Sequence, residues 1–312
     1  AARPWLYQTP RQILTKASNG ASDFGNKFGQ PLICGSVLTF EHEGKADEPT
    51  YGFDKVIMLA GGVGYARRSD AQKGTPEPGE EVVLLGGDNY RIGMGGGAVS
   101  SVNTGQYAGA IELNAVQRSN PEMQKRVENV IRTLSESEDN PIISIHDHGA
   151  GGHLNCLSEL VETTGGHFDL SAFPIGDETL SSKEIIGNES QERMGLLVKG
   201  DAVERIARIA ERERAPMYVV GRTTDDMHLT FEEAGGDKPI DLALSDMFGS
   251  APKTYMVDKH IDKTYPALSY DAARVEHYLD EVLQQEGVAC KDWLTNKVDR
   301  SVTGRVARQQ CQ

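Results

Sequence analysis

Ile142-Ile-Ser-Ile-His-Asp147-His-Gly-Ala-Gly-Gly152 decides how this chain is read. An apolar run ends on an acidic residue, and a glycine-rich turn then opens a helix with a core stripe of Leu154, Leu157, Leu160 and Val161. Strand, turn and helix in that order describe a layered fold in which the turn is presented at the strand's end. A carboxylate there, Asp147, can hold a hard cation such as Mg²⁺, while N–H groups at the helix start can face phosphate oxygens. An ordinary connection with a capping Asp is the alternative. His146, His148 and His153 raise a zinc site as another. Against zinc, no helical H-x-x-x-H pair is present.

Periodicity extends the reading in both directions. Lys55 to Ala60 reads as a buried strand closed by Gly61 and Gly62, and Val82 to Leu85 as another. Between them Thr75-Pro-Glu-Pro-Gly79 has the prolines and glycine of a linker, so a domain boundary is placed at 78/79. Gly86 to Ser101 reads as a polar loop, and Ala110 to Leu113 as a strand with Gln117 just beyond its end. Asn120 caps a helix with Pro121 at its first position and Met123, Val127, Val130, Ile131 and Leu134 on one face. Arg193 to Val198 is a strand, and Val203, Ile206, Ala207 and Ala210 mark a second long helix. Met217 to Val220 and His228 to Phe231 are strands, and residues 255–296 read as helical and charged. The pattern predicts an α/β or α+β fold, with helices packed on one face of a sheet.

Composition narrows the classes. Against 46 acidic residues stand 32 Lys and Arg, a net charge of −14, which argues against a nonspecific nucleic-acid or anionic-membrane surface. No apolar run approaches the roughly 20 residues that cross a bilayer, and no signal-peptide pattern opens the chain. Cys34, Cys156, Cys290 and Cys311 form no C-x-x-C pair, so a reduced cytoplasmic setting is the simplest expectation. The start at Ala1 without Met and the end at Gln312 without a closing pattern suggest a piece of a longer chain.

Three further segments can carry chemistry. Arg91 to Ser101 offers the backbone of Gly95, Gly96 and Gly97, the Ser100 hydroxyl and the Arg91 charge to a phosphate, although it lacks the spacing of a P-loop. A packed glycine corner is the alternative. Gln117 can donate and accept toward a ligand amide, or merely cap. Asn188-Glu-Ser-Gln-Glu-Arg193, polar for six residues before a strand, offers donors and acceptors to a polar substrate, or makes only a turn.

In order and content these segments become recognisable. The strings Gly25-Asn-Lys-Phe-Gly-Gln-Pro31, Gly93-Met-Gly-Gly-Gly97, Val116-Gln-Arg-Ser-Asn-Pro-Glu-Met123, Ile145-His-Asp-His-Gly-Ala-Gly-Gly152, Asn188 to Arg193 and Asp299-Arg-Ser-Val-Thr-Gly304 run in sequence along the chain. Together they resemble the synthetase part of the large, single-chain phosphoribosylformylglycinamidine synthases. The resemblance implies a fold of tandem A–B domain pairs like aminoimidazole ribonucleotide synthetase. Residues 1–78 would end the first A domain, and 79–254 would form the first B domain. Residues 255–296 would connect, and 297–312 would open the second A domain. It also implies an ATP- and Mg²⁺-dependent ligase of purine biosynthesis, acting on formylglycinamide ribonucleotide with ammonia released from glutamine. Asp147 matches a Mg²⁺ ligand. Gln117, Glu189, Ser190 and Gln191 match substrate positions, and Cys34, Gly35 and Ser36 match a nucleotide segment. The family's catalytic histidine would precede residue 1, and the second A–B pair and the glutaminase domain would follow residue 312. The fragment alone is expected to be inactive. A related ATP-dependent ligase or kinase, or a non-catalytic structural module, are the alternatives.

Overall fold

The computed structural model describes residues 10–28 and 34–38, most of 41–61, then 64–103, 106–115, 120–258 and most of 260–290. The chain divides into two units, one spanning Cys34–Gly249 and one containing the first and last described helices. In chain order the first elements are α1 (Pro10–Phe28), β1 (Cys34–Leu38), β2 (Glu41–His42), β3 (Tyr51–Gly52) and β4 (Ile57–Gly61). β5 (Glu81–Leu85), α2 (Gly96–Ser100), α3 (Gly109–Ala115), α4 (Pro121–Ser135), β6 (Ile142–His148) and α5 (Gly152–Leu160) follow. Next come β7 (Gly166–Asp169), α6 (Ser182–Ile186), β8 (Ser190–Val198), α7 (Val203–Glu213) and β9 (Met217–Thr223). β10 (His228–Glu232), β11 (Ile240–Ala243), α8 (Leu244–Phe248) and α9 (Val275–Gln284) close the series.

The larger unit is organised by a mixed sheet of seven strands in the order β11-β10-β7-β9-β5-β8-β6. β7 and β10 pair in parallel, and the other neighbours are antiparallel. β5 lies inside, with Val82, Val83, Leu84 and Leu85 all buried. Alternation sends Val82 and Leu84 to one face, where Cys156, Leu157 and Leu160 of α5 meet Phe168, Leu229 and Phe231. Val83 and Leu85 go to the other, where Val127, Val130 and Leu134 of α4 pack beside Ile206 and Ala210 of α7. The two long helices therefore share one face. The shorter α5 covers the opposite face, because strands buried on both sides need an apolar cover on each. α4 begins as read: the Asn120 side chain accepts from the Met123 N–H at 3.1 Å, with Pro121 in the first turn.

Several expectations are corrected. Ala110 to Leu113 is helical, within α3, and Leu113 is 72% exposed, because one short apolar pair fits either period. The Gly86–Ser101 loop contains the short helix α2. β8 starts at Ser190, so the last four residues of the polar run lie in the strand and only Asn188 and Glu189 precede it. Leu59 of β4 is exposed. Between 255 and 296 the described helical residues fall at 272–284, and the described stretch before them is irregular. β7, β11, α6 and α8 lack a run long enough to show a period.

Candidate functional site

Glu189 is where the separate sequence signals meet. It sits between α6 and β8, 3% exposed, and its N–H donates to the Gly93 carbonyl at 2.8 Å. Its Oε1 accepts from the Gly97 N–H and from the Gly151 N–H, each at 3.2 Å. Gly97 lies in the first turn of α2, and Gly151 caps α5. One buried carboxylate thus lies at two helix starts, where unpaired N–H groups and the helix dipoles favour negative charge. The glycines permit this approach. Gly93 has φ +78°, and a Cβ there would stand 2.1 Å from the Glu189 carbonyl oxygen. At Gly152, with φ +58°, a Cβ would stand 2.4 Å from the Asn188 carbonyl oxygen.

The other expected residues fall around this centre. Asp147 is exposed near the end of β6, its Oδ1 accepting from the Gly149 N–H at 2.7 Å. β6 pairs with β8, with His148 opposite Ser190, so Asp147 and the Glu189–Gln191 segment occupy one end of that strand pair. Ser190 is buried, with no hydrogen-bond partner for its hydroxyl among the described residues, and Gln191 is exposed. Gln117 lies outside the described residues. The Ala115 carbonyl oxygen stands 2.7 Å from where a Gly96 Cβ would be, so the end of α3 borders the same loop.

The glycine loop itself is partly engaged. Gly97 already serves Glu189, and the Ser100 hydroxyl donates to the Gly97 carbonyl at 3.1 Å. Arg91 turns to Glu184, to Asp177, and to the carbonyl and hydroxyl of Thr179 at 3.1 and 3.0 Å. Hydrogen bonds from the Ser181 N–H and hydroxyl, and then the Arg91 charge, hold the Glu184 carboxyl below the usual carboxylate range. Cys34, Gly35 and Ser36 lie in β1, which pairs antiparallel with β4.

Beneath Glu189 is a polar network that the sequence did not announce. The Arg193 guanidinium, 1% exposed, bonds Asn89 Oδ1, His153 Nε2, Asn188 Oδ1 and the Asn188 carbonyl. His153 Nδ1 lies 2.9 Å from His148 Nε2, the two rings edge to face. Burial, then the Arg193 charge, holds both histidines well below the ordinary imidazole value, so both are neutral. His146 faces away and contacts Glu159 at 2.6 Å. Among the described residues no group of three or more His, Cys, Asp or Glu side chains converges as a metal cage. The available signal for Arg193 was its place in a strand with two buried faces; nothing in the sequence marks Asn89.

Known proteins extend this picture. Residues 77–233, half of the chain, match the family described as AIR synthase related protein, C-terminal domain, and the chain belongs to that family. It is similar to phosphoribosylformylglycinamidine synthase of Homo sapiens, 38% identical over 99% of this chain and 24% of the relative. It is likewise similar to that of Dictyostelium discoideum, 39% identical over 97% and 23%. A probable chloroplastic/mitochondrial phosphoribosylformylglycinamidine synthase of Arabidopsis thaliana is 40% identical over 97% and 22%. The chain thus spans about a quarter of the length of these relatives. Among solved structures, T. maritima PurL complexed with FGAR matches with a TM-score of 0.65 at 24% identity, covering 84% of this chain and 42% of that one. PurLQS from Thermotoga maritima matches at 0.64 and 20% identity, covering 94% and 43%. These two similarities establish the fold.

Proposed function

We propose that the chain is part of an ATP-dependent amidoligase of purine biosynthesis. It would convert formylglycinamide ribonucleotide, glutamine and ATP to formylglycinamidine ribonucleotide, glutamate, ADP and phosphate. The observation that carries this reading is the meeting of the Asp147 strand end, both glycine turns and the Glu189–Gln191 segment at one place. The long relatives of that name support it.

The reaction needs the substrate's amide oxygen made into a leaving group. Transfer of the ATP γ-phosphoryl to that oxygen gives an iminophosphate and ADP. Ammonia then adds to the carbon, and phosphate leaves. Gln117, Ser190 and Gln191 suit the task of orienting a neutral amide, since amide and hydroxyl groups bond it without competing as nucleophiles. Asp147 fits the role of a Mg²⁺ ligand as an exposed hard oxygen donor. Mg²⁺ bound there would neutralise charge on the phosphoryl oxygens. Gly95, Gly96, Gly97 and Ser100 remain the phosphate candidates, and Arg91 joins them only on leaving Glu184.

In the whole protein residues 1–78 complete an A domain whose nucleotide segment includes Cys34, Gly35 and Ser36. Residues 79–254 form the B domain, 255–296 connect, and 297–312 open the second A domain. The remaining A–B pair and a glutaminase domain lie on the same polypeptide, in the cytoplasm. The test is product formation by the full-length protein from formylglycinamide ribonucleotide, ATP and glutamine, followed by mass spectrometry. Gln191→Ala is expected to raise KM for the ribonucleotide about tenfold, with KM for ATP little changed. A full-length protein that makes no formylglycinamidine ribonucleotide refutes the reading.

A further inference from the structure

We propose that Arg193 is a positioning residue, a buried guanidinium that locks the Asp147 strand end, the first turn of α5 and the loop before α2 into one site. Its structural half stands on geometry alone; its consequence for substrate rests on the function proposed above. Four acceptors from three separate segments surround it: Asn89 Oδ1, His153 Nε2, and the Asn188 carbonyl and Oδ1. A position needing only volume would take an apolar side chain. A guanidinium offers five donors in a fixed plane, and a lysine ammonium cannot reproduce that fork.

Each acceptor leads to the site. Asn188 Nδ2 donates to the Tyr90 and Ile92 carbonyls at 2.8 Å each, and the next residue, Glu189, bonds Gly93. Arg193 therefore sets the path of residues 90–93 and the place of the Glu189 carboxylate that receives Gly97 and Gly151. On the other side, His153 Nε2 faces both Asn89 Oδ1, at 3.0 Å, and the Arg193 guanidinium; with the guanidinium as donor to Nε2, the proposed arrangement puts the His153 proton on Nδ1. In that tautomer the Nδ1–H faces His148 Nε2, 2.9 Å away, and His148 follows Asp147. A directed row of bonds, Arg193 to His153 to His148, joins the two ends of the site.

Nitrogen-15 NMR of histidine-labelled 312-residue chain reads this row without a variant. The expected result is His153 protonated on Nδ1 and bare on Nε2; a proton on Nε2 overturns the proposal. Amide hydrogen exchange then compares wild type with Arg193→Lys. Exchange at Glu189, Gly97 and Gly151 is expected to quicken about tenfold or more, while Val83 and Leu196 keep their rates. No change, or a uniform rise across the sheet, overturns it. If Arg193→Lys does not fold, Asn89→Ala replaces it, with a smaller rise expected at the same amides and none at all counting against. In the full-length protein, Arg193→Lys is expected to raise KM for formylglycinamide ribonucleotide about tenfold, and unchanged kinetics would contradict the functional half. A wild-type protein that never turns this ribonucleotide over would sink the proposed function, leaving the tautomer and exchange results to decide Arg193.

Discussion

At the scale of single residues, Glu189 shows how a polar core position can organise a site. Its carboxylate accepts from the N–H groups of two helix starts, one at half-buried Gly97 and one at exposed Gly151. Glu189→Ala is expected to destabilise the chain by about 2–4 kcal/mol in urea unfolding, and Glu189→Gln, which keeps an acceptor, by less. Equal losses would show that the bonds to Gly97 and Gly151 matter little. The histidines set a pH dependence. His153 is held neutral in the fold, its folded value well below the 6.5 of the exposed imidazole, by burial first and Arg193 second. Above pH 6.5 neither state binds the proton. Below it the unfolded chain gains protons that the folded chain refuses, so stability falls as pH drops, by about 1.4 kcal/mol per unit for each such histidine. Urea midpoints from pH 7.5 to 5 should show that slope, and His153→Gln should reduce it to the part that His148 contributes. A midpoint independent of pH in this window would contradict a neutral buried imidazole. Cysteine reactivity is a further check. Cys156 is buried in an apolar setting that pushes its thiol far up, whereas Cys290 is exposed. Brief maleimide treatment followed by peptide mapping should label Cys290 and leave Cys156 free.

At the scale of elements, the strength of a period decides what can be read from sequence. α4 and α7 each carry several apolar residues at helical spacing and form as read, and both pack on the Val83–Leu85 side of β5. Leu134→Ala in α4 should cost about 2–5 kcal/mol, because the side chain is fully buried, whereas Leu113→Ala in exposed α3 should change stability by about 0.5 kcal/mol or less. Comparable losses at both sites would contradict the packing described. α3 was misread because Ala110 to Leu113 holds too few apolar positions to separate a two-residue from a 3.6-residue period. The Asn188–Arg193 run was readable as functional but not as strand. Its Glu192 and Arg193 are buried, and a polar residue facing inward breaks the alternation on which strand recognition depends. The glycines were visible as turns, but that they face a carboxylate of the same chain depends on Glu189, far away in sequence.

At the scale of the molecule, family membership and fold are settled by residues 77–233, while the chain spans about a quarter of the length of the relatives that share its sequence. The proposed reaction therefore has to be tested in the full-length protein. The most direct measurement is Asp147→Asn, followed by two rates in one preparation: ribonucleotide-dependent ligation and glutamine hydrolysis. Asn keeps the side chain's size and an acceptor for Gly149, but removes the charge that would bind Mg²⁺. Ligation is expected to fall about a hundredfold or more, while glutamine hydrolysis stays near wild type. Ligation within a few-fold of wild type would contradict a metal-binding role for Asp147 and a phosphoryl-transfer site at this end of the sheet.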